Sequence, residues 1–159
     1  MLSLIAFLIL RKTLKERFAD NLRIIKNKFG NDIAKNLERL YRLETNHFKS
    51  GQFRHTYSPG MESFGTKYPF GWKTIASIFW NSTTLARPVG FYSGTEGKTG
   101  KTKTFLKFPS LLAAMLTVAT FLKHYDNNPG RWYSTNLESQ QRYNNSINKI
   151  KTPIYDSIS

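Results

Sequence analysis

A mainly helical α+β domain, a helical body with a small loop and β-hairpin lobe flanking a cleft, is what this sequence predicts. Three observations carry that expectation. Apolar residues recur every three or four positions over residues 13–29, 32–44 and 109–125, the period of a helix with one buried face. From Lys49 to Asn81 that period is lost, and Gly, Pro, Ser and aromatics take over. Val89, Phe91 and Tyr92 are then joined to Phe105, Leu106 and Phe108 through SGTEGKTGKTK, two short apolar runs about a basic glycine-rich loop, which reads as a hairpin. A chain of 159 residues has room for one core and one cleft.

In chain order, residues 1–12 form a hydrophobic N-terminal segment ahead of a domain spanning 13–159. Met1 to Leu10, MLSLIAFLIL, is apolar apart from Ser3 and runs into Arg11 and Lys12. Ten helical residues span about 15 Å, half of a bilayer's hydrocarbon core, and the stretch lacks the basic start and small-residue cleavage site of a secretory signal. A shallow membrane anchor, a degenerate signal and a packed helix all fit; membrane contact through residues 1–10 is the expectation adopted. Thr13 to Phe29 places Leu14, Phe18, Leu22, Ile25 and Phe29 on one face, basic residues elsewhere, and a stop at Gly30.

Asp32 is positioned to cap the next helix, whose Ile33, Leu37, Leu40 and Tyr41 share a face. At about 100° per residue, Glu44 falls roughly 20° from Ile33, inside that apolar stripe. A carboxyl group there is desolvated, which favours the protonated acid that a general acid needs near neutral pH. Thr45, Asn46 and the Ser50-Gly51 pair are poor helix formers, so Glu44 sits at a helix end, where a cleft can open. A carboxylate tied to one of the chain's 24 basic side chains is the plainer alternative.

The loop-rich lobe carries Phe53, Tyr57, Phe64, Tyr68, Phe70 and Trp72, which suit either a small core or the packing of sugar C–H faces. Glu62 lies there, after the Ser58-Pro59-Gly60 turn. A buried acid often works with a second carboxyl group on the far side of the reacting bond, so Glu62 is the candidate for that group, with Glu96 its competitor. Lys73 to Phe79 reads as a short helix. Pro109 can open the most apolar helix, with Leu111, Leu112, Met115, Val118, Ala119, Leu122 and Tyr125, which is the expected central helix. Asn127 to Gly130 break it. Thr135 and Glu138 then have capping-box spacing for a last helix whose Leu137, Ile147 and Ile150 face the core. Tyr133, just ahead of that helix, could face the cleft.

The run RLETNHFKSGQF, followed by YSPGMESFG and YPFGW, resembles the peptidoglycan-cleaving enzymes of the lysozyme-like superfamily, in particular the bacterial and phage glucosaminidase and lytic transglycosylase branch. The similarity extends to FLKFPSLLAAMLTVATFLKHY and RWYSTNLESQQRYNNSINKI, and covers about two thirds of the chain. It implies a lysozyme-like fold, Glu44 as general acid followed by Thr45 and Phe48, and a turn at Tyr133 to Asn136 whose tyrosine helps hold the saccharide. It also implies exposed sugar-binding rings at Tyr68 and Trp72 and a second family tyrosine at Tyr143. Asn136 stands where that family commonly has an acid, and the step from Tyr133 to Tyr143 is longer than usual.

Together these give catalytic candidates Glu44, Glu62 and Tyr133, and substrate-binding candidates Thr45, Phe48, Tyr68, Trp72 and Tyr143. No metal or cofactor is expected. Without cysteine there is no disulfide or zinc-thiolate site, and the three histidines form no HExxH. There is no Gly-x-Ser-x-Gly element. GKTGKT fails as a phosphate loop, because Thr95 and Tyr92 stand where the required glycine should precede Gly100 and Gly97. The net charge of +14 points to an anionic partner. Peptidoglycan glycan strands are the expected one, in a cell envelope, periplasm or virus particle, and no nucleic acid is expected. On charge alone a nonenzymatic basic virion, membrane or nucleic-acid-binding protein is the rival.

Overall fold

Thr13 starts the described fold by closing a capping box: its hydroxyl accepts from the Glu16 N–H at 3.2 Å, and the Glu16 carboxylate accepts from the Thr13 N–H at 2.6 Å. Helix α1, Leu14–Phe29, follows and buries Phe18, Leu22 and Ile25. The computed structural model describes residues 12–63, 87–95 and 100–159. The apolar start, Tyr68, Trp72, the helix expected over 73–79 and Glu96 lie outside the described residues.

Gly30 ends α1 with φ of +93°, a value glycine adopts without Cβ strain, and α2, Asn31–Glu44, begins at once. Asp32 is therefore not the cap but part of the first turn, where its charge complements the helix dipole. The expected face of α2 is buried: Ile33, Leu37, Leu40 and Tyr41. The loss of periodicity from Lys49 onward predicts loop, yet the Ser50 hydroxyl accepts from the Phe53 N–H at 3.2 Å and starts α3, Gly51–Thr56. Local capping offset the weak propensity of Ser50 and Gly51.

Strands β1 (Glu62–Ser63), β2 (Gly90–Thr95) and β3 (Thr102–Lys107) form an antiparallel sheet in the order β1-β3-β2. The expected hairpin is β2 with β3, paired Phe91 to Leu106 and Tyr92 to Phe105. Alternation assigns two faces. Leu106 and, just past the strand, Phe108 are buried in the core with Met61, while Lys103 and Phe105 point the other way.

Helix α4, Leu111–His124, is the central helix the sequence predicts, and it packs on both α1 and α2. Its cap is Ser110, accepting from the Ala113 N–H at 3.1 Å, so Pro109 stands just outside it. After α5, Gly130–Tyr133, helix α6, Leu137–Ile147, is capped by Asn136, which accepts from the Ser139 N–H at 3.0 Å. The Thr135–Glu138 box does not form, and Glu138 pairs instead with Arg142 on the surface. Ile147 is buried and Ile150 packs on the core, but Leu137 is 74% exposed. It lies in the first turn of α6, where no described residue covers it.

A further short helix, α7, Pro153–Ile158, was not foreseen. Its anchor is Glu38 of α2, fully buried, which accepts from Arg42 Nε at 2.6 Å, the Ile154 N–H at 3.1 Å and the Tyr155 N–H at 2.6 Å. Among the described residues no helix is long and apolar enough to cross a membrane. Replacing Glu38 by Ala would leave a nearly buried guanidinium and two amides without their acceptor. A loss of about 3–5 kcal/mol in urea unfolding is expected, with faster amide exchange at Ile154 and Tyr155. A loss below about 1 kcal/mol would remove Glu38 as the α7 anchor.

Candidate active site

Glu44 is the last residue of α2, and the chain turns sharply immediately after it. Asn46, His47 and Phe48 have φ of 47°, 53° and 70°, three successive non-glycine residues in the left-handed region. Each such residue carries a steric penalty, so neighbouring contacts must hold the turn. Thr45, fully buried, supplies the first of them: its hydroxyl donates to the Tyr41 carbonyl and accepts from the Phe48 N–H at 2.9 Å. Phe48 supplies the second, its ring lying 4.8 Å from that of Phe18 and 5.8 Å from that of Phe53, with the Arg42 guanidinium over it. Both residues were expected to meet substrate. The structure turns both inward, where they fix the bend that presents Glu44.

The bend brings α3 beside the end of α2 and opens a cleft of about 420 Å³ between these helices and the sheet. Glu44, Gly51 and Gln52 form one wall. The other is one face of the sheet: Glu62 on β1 and Phe105 on β3 are paired across the strands, Tyr92 on β2 continues the row, and Lys103 lies diagonal to Glu62. Lys103 Nζ donates to the Glu62 carboxylate at 2.6 Å. His55 of α3 stacks on Tyr92 at 4.6 Å and 11°, tying the two walls together at that point.

The half-buried Glu44 carboxyl is raised above its ordinary value, first by desolvation and then by the negative charge of Glu62. One interaction opposes that shift. The Tyr143 hydroxyl donates to Glu44 Oε1 at 2.5 Å. Tyr143, buried on α6, has its own phenol held well above the ordinary range by burial and by the adjacent Glu44 charge, so it stays a donor across the usable pH range. The Tyr133 ring stacks on Tyr143 with centroids 5.3 Å apart.

Of the residues predicted from sequence, Glu44 and Glu62 come together in the cleft. Tyr143, expected to bind substrate, instead bonds Glu44 directly. Tyr133, expected at the catalytic centre, is 67% exposed at the end of α5 and touches Glu44 only through Tyr143. Tyr92, Lys103, Phe105 and Gln52 were missed. The two aromatics had a signal in the sequence, since strand alternation and the cross-strand register of the hairpin place them on one face; for Lys103 only the pairing with β1 reveals a partner. No group of His, Asp and Glu that could hold a metal occurs among the described residues. Comparisons with protein-family models, curated proteins and solved structures find no match to this chain.

Because burial raises the Glu44 carboxyl above its ordinary 4.5, the fold favours the protonated acid. Below the unfolded-state value Glu44 is protonated in both states and its contribution to stability is whole; it is lost as pH rises through the folded-state value. Glu44→Gln cannot ionise and still accepts from Tyr143. It should therefore match wild type in urea unfolding at about pH 3.5 and become the more stable protein by about pH 8. A difference that stays constant between the two pH values would show that Glu44 is as well solvated folded as unfolded.

Proposed function

We propose that this chain cleaves the β-1,4 glycosidic bond of peptidoglycan, with Glu44 as the proton donor. The observation that carries the proposal is a carboxyl group whose protonated form is favoured by burial, set in a cleft whose opposite wall presents a second carboxylate, Glu62. As the bond from the anomeric carbon to the leaving oxygen breaks, the oxygen takes the Glu44 proton, and positive charge builds on the departing sugar ring. The carboxylate left at position 44, with Tyr143 still donating to it, and the Glu62 carboxylate both stabilise that charge. Glu62 then activates water in a hydrolase. In a lytic transglycosylase the sugar's own hydroxyl attacks the anomeric carbon instead and gives its proton to the Glu44 carboxylate, which restores the acid, while Glu62 bonds the sugar.

Two further features favour a glycan over other substrates with acid-labile bonds. Phe105 lies on the sheet wall beside Tyr92, whose ring stacks on His55, and offers a face on which a pyranose can pack its C–H groups, while Gln52 and Thr95 provide amide and hydroxyl groups at the edges. The net charge of +14 holds the protein near a wall polymer that carries peptide carboxylates and phosphates. A bacterial wall-remodelling enzyme or a phage lysin, working in the envelope or carried by a virion, is the setting that agrees with both.

Glu44→Gln is expected to reduce clearing of purified cell walls by about 10²–10⁴-fold while the protein remains folded. Undiminished clearing by that variant would remove Glu44 as the acid. Mass spectrometry of the released muropeptides assigns the reaction, since 1,6-anhydro ends mark a transglycosylase and reducing ends a hydrolase. Glu62→Gln should slow a hydrolase far more than a transglycosylase.

A further inference from the structure

A second concavity, of about 380 Å³, lies between the middle of α2 and the turn that joins α6 to α7, and it shares no lining residue with the Glu44 cleft. Lys35 and Arg39 line it from α2, and Lys149 and Lys151 line it from the turn. Among the described residues Asp156 is the one carboxylate in the lining, and it accepts from the Thr152 hydroxyl. None of the four cationic side chains forms an ion pair with a described residue. Arg39 is nonetheless held in place, by neutral acceptors alone: its Nε donates to the Ile150 carbonyl, and its Nη1 donates to the side-chain oxygens of Asn36 and Asn148 at 3.2 Å. Those bonds fix the guanidinium without cancelling its charge, which leaves Nη2 to meet an anion.

We infer that this groove binds a linear, base-free phosphodiester chain of the alditol-phosphate type. The juxtaposition of four cations against the single Asp156 carboxylate around one shallow depression supplies the attraction, and the make-up of the described lining selects the occupant. Among the described residues the apolar side chains in the lining are Ile150 and Pro153, and the neighbouring Tyr155 ring has the Lys26 and Lys35 ammonium groups over it, so the lining offers no open aromatic platform on which a nucleic-acid base could stack. The exposed large apolar side chains of the described residues all lie elsewhere, so nothing in the groove can enter a bilayer, and a concave site suits a single strand better than a flat headgroup surface. That the groove tethers an enzyme beside its glycan rests on the proposed function; that it binds the polymer does not.

The test uses the full chain and a fluorescein-labelled poly(glycerol phosphate) of about ten units, titrated by polarisation at several salt concentrations. Lys149→Gln with Lys151→Gln should weaken binding about fivefold or more and flatten the dependence of log affinity on log salt by about two. Lys107→Gln with Lys123→Gln, which removes the same charge from exposed sites elsewhere, should change affinity less than about twofold. Equal losses in the two double variants would overturn the inference, because net charge would then account for all the binding. If single-stranded DNA of the same phosphate number, or phosphatidylglycerol vesicles, bound more tightly and lost that binding in the Lys149/Lys151 variant, the groove would serve nucleic acid or membrane, and the base-free assignment would be wrong. Clearing of walls stripped of anionic polymer should be the same in both variants and wild type, so the outcome is independent of whether Glu44 is the catalytic acid.

Discussion

A carboxylate withdrawn from water must find donors or favour its proton, and helix α2 carries a clear example of each response. Glu38 is fully buried and meets three donors, from Arg42, Ile154 and Tyr155. Its charge is spent on structure: it joins α2 to α7 across more than a hundred residues of chain. Glu44, six residues on, receives one hydrogen bond from the described residues, that of Tyr143, while burial and the charge of Glu62 both favour its acid form. The number of donors, more than the depth of burial, separates the carboxylate that holds the fold from the one available for chemistry.

Placing Glu44 requires the helix to stop at one residue and the chain to reverse there. The reversal runs through three left-handed residues, and it is held by contacts that point away from the cleft: the Thr45 hydroxyl back to Tyr41, and the Phe48 ring into the aromatic group with Phe18 and Phe53. Strain at the site is thus balanced in the core, which is the usual relation between a rigid scaffold and a functional turn. The opposite wall is built on different physics. There a three-stranded sheet, one face packed on the helical body, displays Glu62, Lys103, Tyr92 and Phe105 on the other by strand alternation alone.

The charge of the molecule has a similar division. Within the cleft Lys103 is matched to Glu62 at 2.6 Å, and on the surface Asp20 and Glu138 are matched to Lys12, Arg23 and Arg142. Around the groove beside α7 four cations are gathered with one acid, Asp156, and the Arg39 guanidinium is held by neutral acceptors. A polyanion approaching this surface therefore meets a net positive field beside the middle of α2 and a near-balanced pair of charges in the Glu44 cleft at its C-terminal end. Catalysis and retention on a charged polymer can then be altered separately.

The sequence by itself determined the three long helices α1, α2 and α4 and the hairpin, though not the short helices α3 and α7, because the signals of the former are periodic and local: three-and-four spacing, alternation about the basic loop, and Gly30 as the break. It also determined that Glu44 points inward at a helix end, since the apolar stripe from Ile33 to Tyr41 fixes the direction of the face that carries it. Caps were legible only in part. Ser110 and Asn136 took over from Pro109 and Thr135, because several residues near each end can start the same helix and packing selects among them. What only the tertiary structure decided were the pairings between distant segments: Glu38 with the amides of α7, Tyr143 with Glu44, and Lys103 with Glu62. Those bonds link residues up to 117 positions apart. No periodicity records such distances, because which donor reaches a buried carboxylate depends on how whole helices and strands pack, not on the residues beside it in the chain.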